Sequence, residues 1–312
     1  MALLVAGAAG ISVDTLSITD LLEGTVVTAT SSRLVLNDLP WVEEFTGQFI
    51  YGASGDIEGG TLNAWRETLD GNLVFEVSDF STPVATFLQW VNTNDNEAAR
   101  STILGGSDSI VGSASADTLR GYAGNDVIHG GNGTNYLRGD EGNDSILGGA
   151  GFDDINGNMG ADTASGGLGE DWVVGGKDND VLSGGDAYDL VYGNLGADTC
   201  DGDEGDDIVR GGQDNDIVRG GGGDDYVSGD KGDDTVWGGA GADEFHSFGD
   251  AGLDRVMDFS LAEGDRVRLD PGTTYTVAQS GADTIISMGG GGQVVLVGVS
   301  MSSLTGNWIF TG

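Results

Sequence analysis

An apolar side chain returns at every ninth position through the middle of the chain: Ile110, Leu119, Ile128, Leu137, Ile146, Ile155, Ala164, Val173, Leu182, Val191, Cys200, Val209, Val218, Val227, Val236 and Phe245. The nine-residue register is unbroken from Ile103 to His246, giving sixteen repeats without insertion or deletion. Self-similarity at a fixed period marks a stacked repeat architecture. Counting each repeat from one to nine, the apolar residue holds position 8, the one position expected to be reliably buried. Before the repeats, Thr25 to Leu36 and Asn72 to Val77 alternate as strands, with Leu73, Phe75 and Val77 on one face. Gly52 to Gly60 reads as a turn. Ser81-Thr82-Pro83 predicts the start of a helix on which Val84, Phe87, Leu88 and Val91 share a face and which runs toward Arg100. After His246 the register slips by two residues, and Gly249 to Met257 reads as a last, divergent repeat. Alternating strands are predicted at Thr284 to Ser287 and Gln293 to Val297, ahead of an apolar end at Trp308 to Phe310.

The other positions of the repeat are as regular. Position 1 is Gly in fifteen repeats, and position 4 is Gly in all but four, where Ser115, Asp178, Ala187 and Asp214 stand. Position 6 is Asp108, Asp117, Asp126, Asp144, Asp153, Asp162, Asp171, Asp180, Asp189, Asp198, Asp207, Asp216, Asp225, Asp234 and Asp243, with Asn135 in the remaining repeat. Repeats such as Gly166 to Val174 and Gly238 to His246 read G-G-x-G-x-D-x-U-x letter for letter.

On these residues the chain resembles the RTX (repeats-in-toxin, haemolysin-type calcium-binding) family. The resemblance implies a mainly β fold whose centre is a right-handed parallel β-roll. Positions 1 to 6 of each repeat would form a turn and positions 7 to 9 a short strand, and every second repeat would stack, giving about eight coils. It also implies Ca²⁺ held by the sixteen position-6 residues together with backbone carbonyls of neighbouring turns. The expected organisation is an N-terminal α+β or β-rich domain over 1–102, with its helix plugging the roll, the roll over 103–258, and a C-terminal β cap over 259–312. The last segment resembles the uncleaved secretion-signal region of type I secretion substrates, which makes that export machinery an expected partner.

Charge fits this picture. Fifty-one acidic residues against 12 basic ones leave a net charge of −39, which disfavours nucleic acid and anionic membrane and favours cations. Aspartates stacked ~5 Å apart at an effective dielectric near 20 repel by roughly 3 kcal/mol per pair. A hard cation with all-oxygen ligands relieves that repulsion, and the scarcity of His and Cys argues against zinc or copper. Two columns of eight residues have room for up to about fourteen Ca²⁺ between them. The 58 glycines with only 3 prolines fit a backbone that repeatedly takes φ > 0 or lies close to an ion. The single Cys200 forms no intramolecular disulfide, and its place in the apolar ladder marks it as a buried structural residue.

The first basic residue is Arg33, so a cleaved signal peptide is not expected, and no stretch has the roughly 18 apolar residues of a membrane span. No zinc-protease helix, nucleophile elbow, phosphate loop or dinucleotide fingerprint stands outside the glycine-rich repeats. His129 and His246 both hold position 9 and read as exposed strand residues. Arg138-Gly139-Asp140 spells an integrin-type tripeptide but falls on ordinary repeat positions. Trp41, Trp65 and Trp90 read as core residues of the N-terminal domain. The expectation is a non-enzymatic, secreted calcium-binding structural protein, extracellular or on the cell surface, that self-assembles into a layer, filament or matrix. A calcium-dependent adhesin or polysaccharide-binding module is the first alternative, and a secreted hydrolase or polysaccharide-modifying enzyme the second.

Overall fold

Strands begin directly after the repeat aspartates, as in Thr163–Leu168 after Asp162 and Trp172–Lys177 after Asp171. The fold is mainly β, a parallel β-solenoid of about nine turns. The computed structural model describes residues 101 and 103–312 and, before them, the strands between Leu3 and Pro83, with side-chain surroundings there given only at 46 and 61–64. Two compact units divide the chain, Met1–Ile146 and Leu147–Gly312.

In the first unit, Thr25–Ala29 and Arg33–Asp38 form an antiparallel pair that continues through Trp41–Tyr51, Ile57–Leu69 and Asn72–Ser78. Asn72 to Val77 is a strand as expected, whereas Thr25 to Leu36 is divided between two strands that pair with each other. The turn is shorter than predicted, because Gly59 and Gly60 already pair with Ile50 and Phe49. Thr82–Pro83 is a short strand against Thr61 and Leu62, and the expected helix beyond Pro83 lies outside the described residues, as do the side chains of Trp41, Trp65 and Trp90. Leu3–Ala6 pairs antiparallel with Asn72–Ser78 and parallel with Ser109–Val111, the first repeat strand. The N-terminal segment thus covers a backbone edge that would otherwise be open. Ser109–Val111 pairs in turn with Val127–Asn132, and Thr118–Arg120 with Asn135–Glu141.

The second unit contains two parallel ladders. One runs through Asp153–Met159, Trp172–Lys177, Leu190–Leu195, Ile208–Gln213, Tyr226–Lys231 and Glu244–Ser247. The other runs through Thr163–Leu168, Val181–Asp186, Thr199–Glu204, Ile217–Gly222 and Thr235–Ala240. The position-8 residues Val173, Val191, Val209 and Val227 of the first ladder are 0–1% exposed, as are Leu182, Cys200 and Val218 of the second. Cys200 is therefore the buried residue the pattern implied, and burial pushes its thiol pKa up.

Three features depart from the sequence expectation. Strands are longer than positions 7 to 9 and run on through position 3 of the next repeat, with positions 2 and 3 paired to the adjacent coil, as Gly167 to Gly185 and Leu168 to Asp186. Position 8 is not the only buried position, because the position-6 side chains are buried as completely. About nine turns replace about eight, since both ladders continue past the nonapeptide register. Thr235–Ala240 is followed by Leu253–Val256 and then Gln293–Leu296, and Glu244–Ser247 by Arg266–Leu269 and Ile309–Thr311. Asp283–Met288 and Tyr275–Ser280 add an antiparallel meander to Gln293–Leu296, and Phe259 and Trp308 pack edge to face with ring centres 6.4 Å apart.

Candidate metal centre

Each of the sixteen position-6 side chains is buried, between 0 and 3% exposed. Burying an ionised carboxylate without a partner is expensive, so where its oxygens go decides what the site can do. One oxygen has a fixed role. Oδ1 accepts the backbone N–H of the aspartate one coil earlier: Asp153 donates to Asp171, Asp171 to Asp189, Asp189 to Asp207 and Asp207 to Asp225, all at 2.7–2.8 Å. The second column repeats this from Asp162 through Asp180, Asp198 and Asp216 to Asp234, each bond 2.8 Å long. In the first unit Asp108 donates to Asp126 and Asp126 to Asp144, while Asp117 donates to the side-chain oxygen of Asn135. Asn135 thus preserves the bond that holds its column while carrying no charge.

The other oxygen is different. Oδ2 of Asp126, Asp171, Asp180, Asp189, Asp198, Asp207, Asp216, Asp225, Asp234 and Asp243 is buried and has no hydrogen-bond partner. Burial, set against the backbone N–H bond and increased by neighbouring carboxylates, lifts the pKa of Asp171, Asp180 and Asp207 to about 7 and of Asp189, Asp216 and Asp225 to about 8. A row of orphaned carboxylate oxygens held off their normal titration is a donor set awaiting positive charge.

Glycine makes the space. A Cβ at position 1 would lie 2.5 Å from the Asp189 Oδ2 if placed on Gly184. At position 4, a Cβ on Gly205 would lie 1.8 Å from the carbonyl oxygen of Ala187 in the previous coil. Coils therefore approach through bare backbone, with carbonyl oxygens facing the next turn. Where glycine is absent the left-handed conformation persists, at Asp178 (φ 72°), Ala187 (φ 86°) and Asp214 (φ 74°), so these departures from the repeat keep its backbone course.

Position 5 carries a second ladder that the sequence reading missed. Side-chain oxygens of Asn179 and Asn215 accept the N–H groups of Ala197 and Asp233, and Asp206 accepts that of Asp224 and Asp224 that of Ala242. These bonds point to the next coil, opposite in direction to those of the position-6 column. In the turns that carry such a residue, amide donors on both sides are thereby engaged, and oxygen is what remains for a ligand. No group of three or more His, Cys, Asp or Glu side chains gathers among the described residues, so a cation here draws on pairs of carboxylates and on backbone oxygens. That set of hard donors fits Ca²⁺.

The ends of the columns close differently. Asp117 Oδ2 accepts the Ser113 N–H at 2.6 Å and its hydroxyl at 2.9 Å. Two carboxylates beyond the predicted set also line up. Asp254 and Asp265 are each 3% exposed, twenty and twenty-two residues after Asp234 and Asp243. Their signal in the sequence is the Asp-x-Val of Asp254-Arg-Val256, which falls at positions 6 to 8 of the divergent repeat Gly249 to Met257, and of Asp265-Arg-Val267, which lies beyond any repeat read there.

His129 is exposed, as expected, but His246 is half-buried, stacked on Tyr226 with its Nε2 3.2 Å from Asp270 Oδ1. Tyr226 on the adjacent strand and Phe248, just past the end of its own strand, flank it. In the Arg138-Gly139-Asp140 tripeptide, Arg138 lies over the Tyr136 ring and Asp140 pairs with Arg120.

Residues 103–137, 138–173, 174–209 and 210–245 each match the RTX calcium-binding nonapeptide repeat (4 copies). No match was found among curated proteins. Among solved structures, the chain is similar to the extracellular lipase LipA from Serratia marcescens, at 20% identity and a TM-score of 0.30, over 66% of this chain and 40% of the lipase. It is also similar to the AlgE6R3 subunit of the mannuronan C5-epimerase of Azotobacter vinelandii, at 21% identity and a TM-score of 0.26, over 43% of this chain and 78% of that one.

Proposed function

We propose, since residues 103–245 match the RTX calcium-binding nonapeptide repeat, that the chain is a secreted, non-catalytic structural protein whose roll folds when calcium fills its carboxylate columns. The observation that carries this reading is the row of buried, unpartnered Oδ2 atoms with pKa values raised to about 7 or 8. A roll carrying that much uncompensated charge is poorly stable in calcium-poor cytosol and stable outside the cell, where extracellular modules bind calcium at about 10⁻⁴–10⁻³ M. Export in the unfolded state through a type I system follows from that asymmetry. Assembly into a layer, filament or matrix is supported by apolar side chains left exposed on the second unit, among them Leu168, Trp172, Val181 and Tyr188.

Size-exclusion chromatography with light scattering, followed by negative-stain microscopy, tests the assembly reading on protein refolded with and without millimolar calcium. Ordered polymers in calcium alone support it, and a compact monomer at every concentration overturns it. A second reading is favoured by a shallow groove of about 420 Å³ lined by Asn156, Asn158, Gly176, Lys177, Asn194, Leu195 and Gln213. Amides, one lysine and no carboxylate suit the hydroxyls of a polysaccharide, and binding on a glycan array that Lys177→Glu abolishes would select it.

A further inference from the structure

The two parallel ladders of the second unit bury their position-8 side chains between them, so positions 7 and 9 of each face outward on opposite sides of the roll. These two outer faces differ in charge. On the first ladder two carboxylates are ion-paired within the face: Asp230 accepts from Arg210 at 2.8 and 2.9 Å, and Glu244 from Arg268 at 2.9 Å. That leaves Asp154 against the exposed cations Lys177, Lys231 and Arg266. Lys177 stands in the shallow groove whose lining holds amides and no carboxylate.

The second ladder carries the reverse. Asp186, Asp201, Asp203 and Glu204 stand on the adjacent strands Val181–Asp186 and Thr199–Glu204, where Asp186 pairs in register with Glu204. Its cations are Arg219, which faces Asp201 across the ladder, and Arg255, three strands beyond Thr199–Glu204. Apolar side chains are exposed on both faces, Leu168 and Val181 on the second ladder and Trp172 and Leu195 on the first. At physiological salt, charges more than about 8 Å apart are screened, so contact between two copies depends less on the net charge of −39 than on what their facing strands carry. Two first-ladder faces would oppose lysine to lysine, and two second-ladder faces carboxylate to carboxylate. First against second brings opposite charges and apolar side chains together.

We propose that copies of this chain assemble by laying the first-ladder face of one roll on the second-ladder face of the next. Such a contact is heterologous and leaves each copy with one free face, so it builds rows or rings of many copies and not a two-fold dimer. The five six-residue strands of the second ladder, at about 3.3 Å per residue and about 4.8 Å apart, give a face of roughly 500 Å², so one contact buries about 1,000 Å², the lower limit for a specific interface. Assemblies held by so small a contact should lengthen with protein concentration. This inference rests on the assembly reading, which it narrows to two named surfaces.

Light scattering over a range of protein concentrations in millimolar calcium, with negative-stain microscopy, tests it on the full chain. Position 3 is exposed and holds Leu168, Lys177, Asp186 or Gln213 alike, so charge can be reversed there with the roll intact, as the β circular dichroism spectrum in calcium verifies. Asp186→Lys with Glu204→Lys makes both faces basic, and Lys177→Glu with Lys231→Glu makes both acidic. Each pair should raise the concentration of half-assembly by about tenfold, because opposed charges become like ones; the two pairs are independent, so one that folds poorly leaves the other. All four changes in one chain exchange the charges of the faces and should restore assembly near the wild-type concentration. Contacts between identical faces oppose like charges in all of these chains and predict no such recovery. Assembly unaffected by either pair, or no recovery in the fourfold variant, would overturn the proposal. So would rows that persist in Lys177→Glu with Lys231→Glu while polysaccharide binding is lost, which would give the basic face to a glycan. A wild type that stays monomeric at every concentration would instead overturn the assembly reading itself.

Discussion

Replacing Asp189 by asparagine should move stability in opposite directions with and without calcium. Asp189 is fully buried, accepts the Asp171 N–H through Oδ1 at 2.7 Å, and has a carboxyl lifted to about 8 by burial, with Asp171 and Asp207 adding to the shift. An unfolded aspartate titrates near 3.9, so folding without calcium at about pH 7.5 forces this group to take up a proton, at a cost of about 5 kcal/mol. Residual water around a carboxylate in so thin a solenoid reduces that to about 2–3 kcal/mol. Asparagine keeps the oxygen that receives the amide, as Asn135 does for Asp117, and removes the ionisation. In EGTA, Asp189→Asn should therefore refold at lower concentrations of the osmolyte TMAO than wild type, by about 2 kcal/mol, followed by far-UV circular dichroism. In calcium the order reverses, because Asp189 stands between Asp171 and Asp207 and its loss weakens the sites on both sides. The calcium midpoint should rise about tenfold. A variant that needs more TMAO than wild type in EGTA, or that leaves the calcium midpoint in place, would refute the reasoning.

Acid should partly replace calcium. The folded pKa values of Asp234 and Asp243 (about 6), Asp171, Asp180 and Asp207 (about 7) and Asp189, Asp216 and Asp225 (about 8) lie above the unfolded value. Their contribution is fully present below about pH 4 and is lost as pH rises through 6 to 8. A circular dichroism titration in EGTA should gain β signal on acidification, and a signal that grows with rising pH would contradict it. Val191→Ala should cost about 2 kcal/mol in urea melts in calcium, since Val191 is wholly buried in the inward ladder; a loss under about 0.5 kcal/mol would mean that the ladder is loosely packed. Gly212 has φ 124° and a Cβ there would lie 2.3 Å from Asn194 O. Gly212→Val should cost about 3 kcal/mol and Gly212→Asn about 1, because asparagine holds the equivalent position at Asn194 with φ 81°; equal losses in urea melts would count against the conformational explanation.

The sequence made the columns legible because each of their residues has one task repeated in every coil. Position 8 must fill the interior and position 6 must both bind an amide and present an oxygen, so neither varies much. Strand length was not legible, since positions 2 and 3 pair through backbone and accept Leu168, Lys177, Asp186 or Asn194 alike. The outer ladder at position 5 was missed for a related reason: Asn179, Asn215, Asp206 and Asp224 share that position with residues that accept no such bond, such as Ala197. Asp254 fell at position 6 of the divergent repeat Gly249 to Met257 but was left out of the ligand set, and Asp265 escaped because a fixed period cannot see across a second, longer insertion. Asp117 reads as an ordinary member of its column, yet Ser113 at position 2 of the same repeat engages its second oxygen.

The claim that calcium fills the columns is tested most directly by far-UV circular dichroism of the full chain at about pH 7.5, in excess EGTA and then on adding calcium back to millimolar concentration. The account predicts a disordered repeat region in EGTA and cooperative recovery of the β spectrum with calcium, whereas a β spectrum unchanged by the chelator would contradict it.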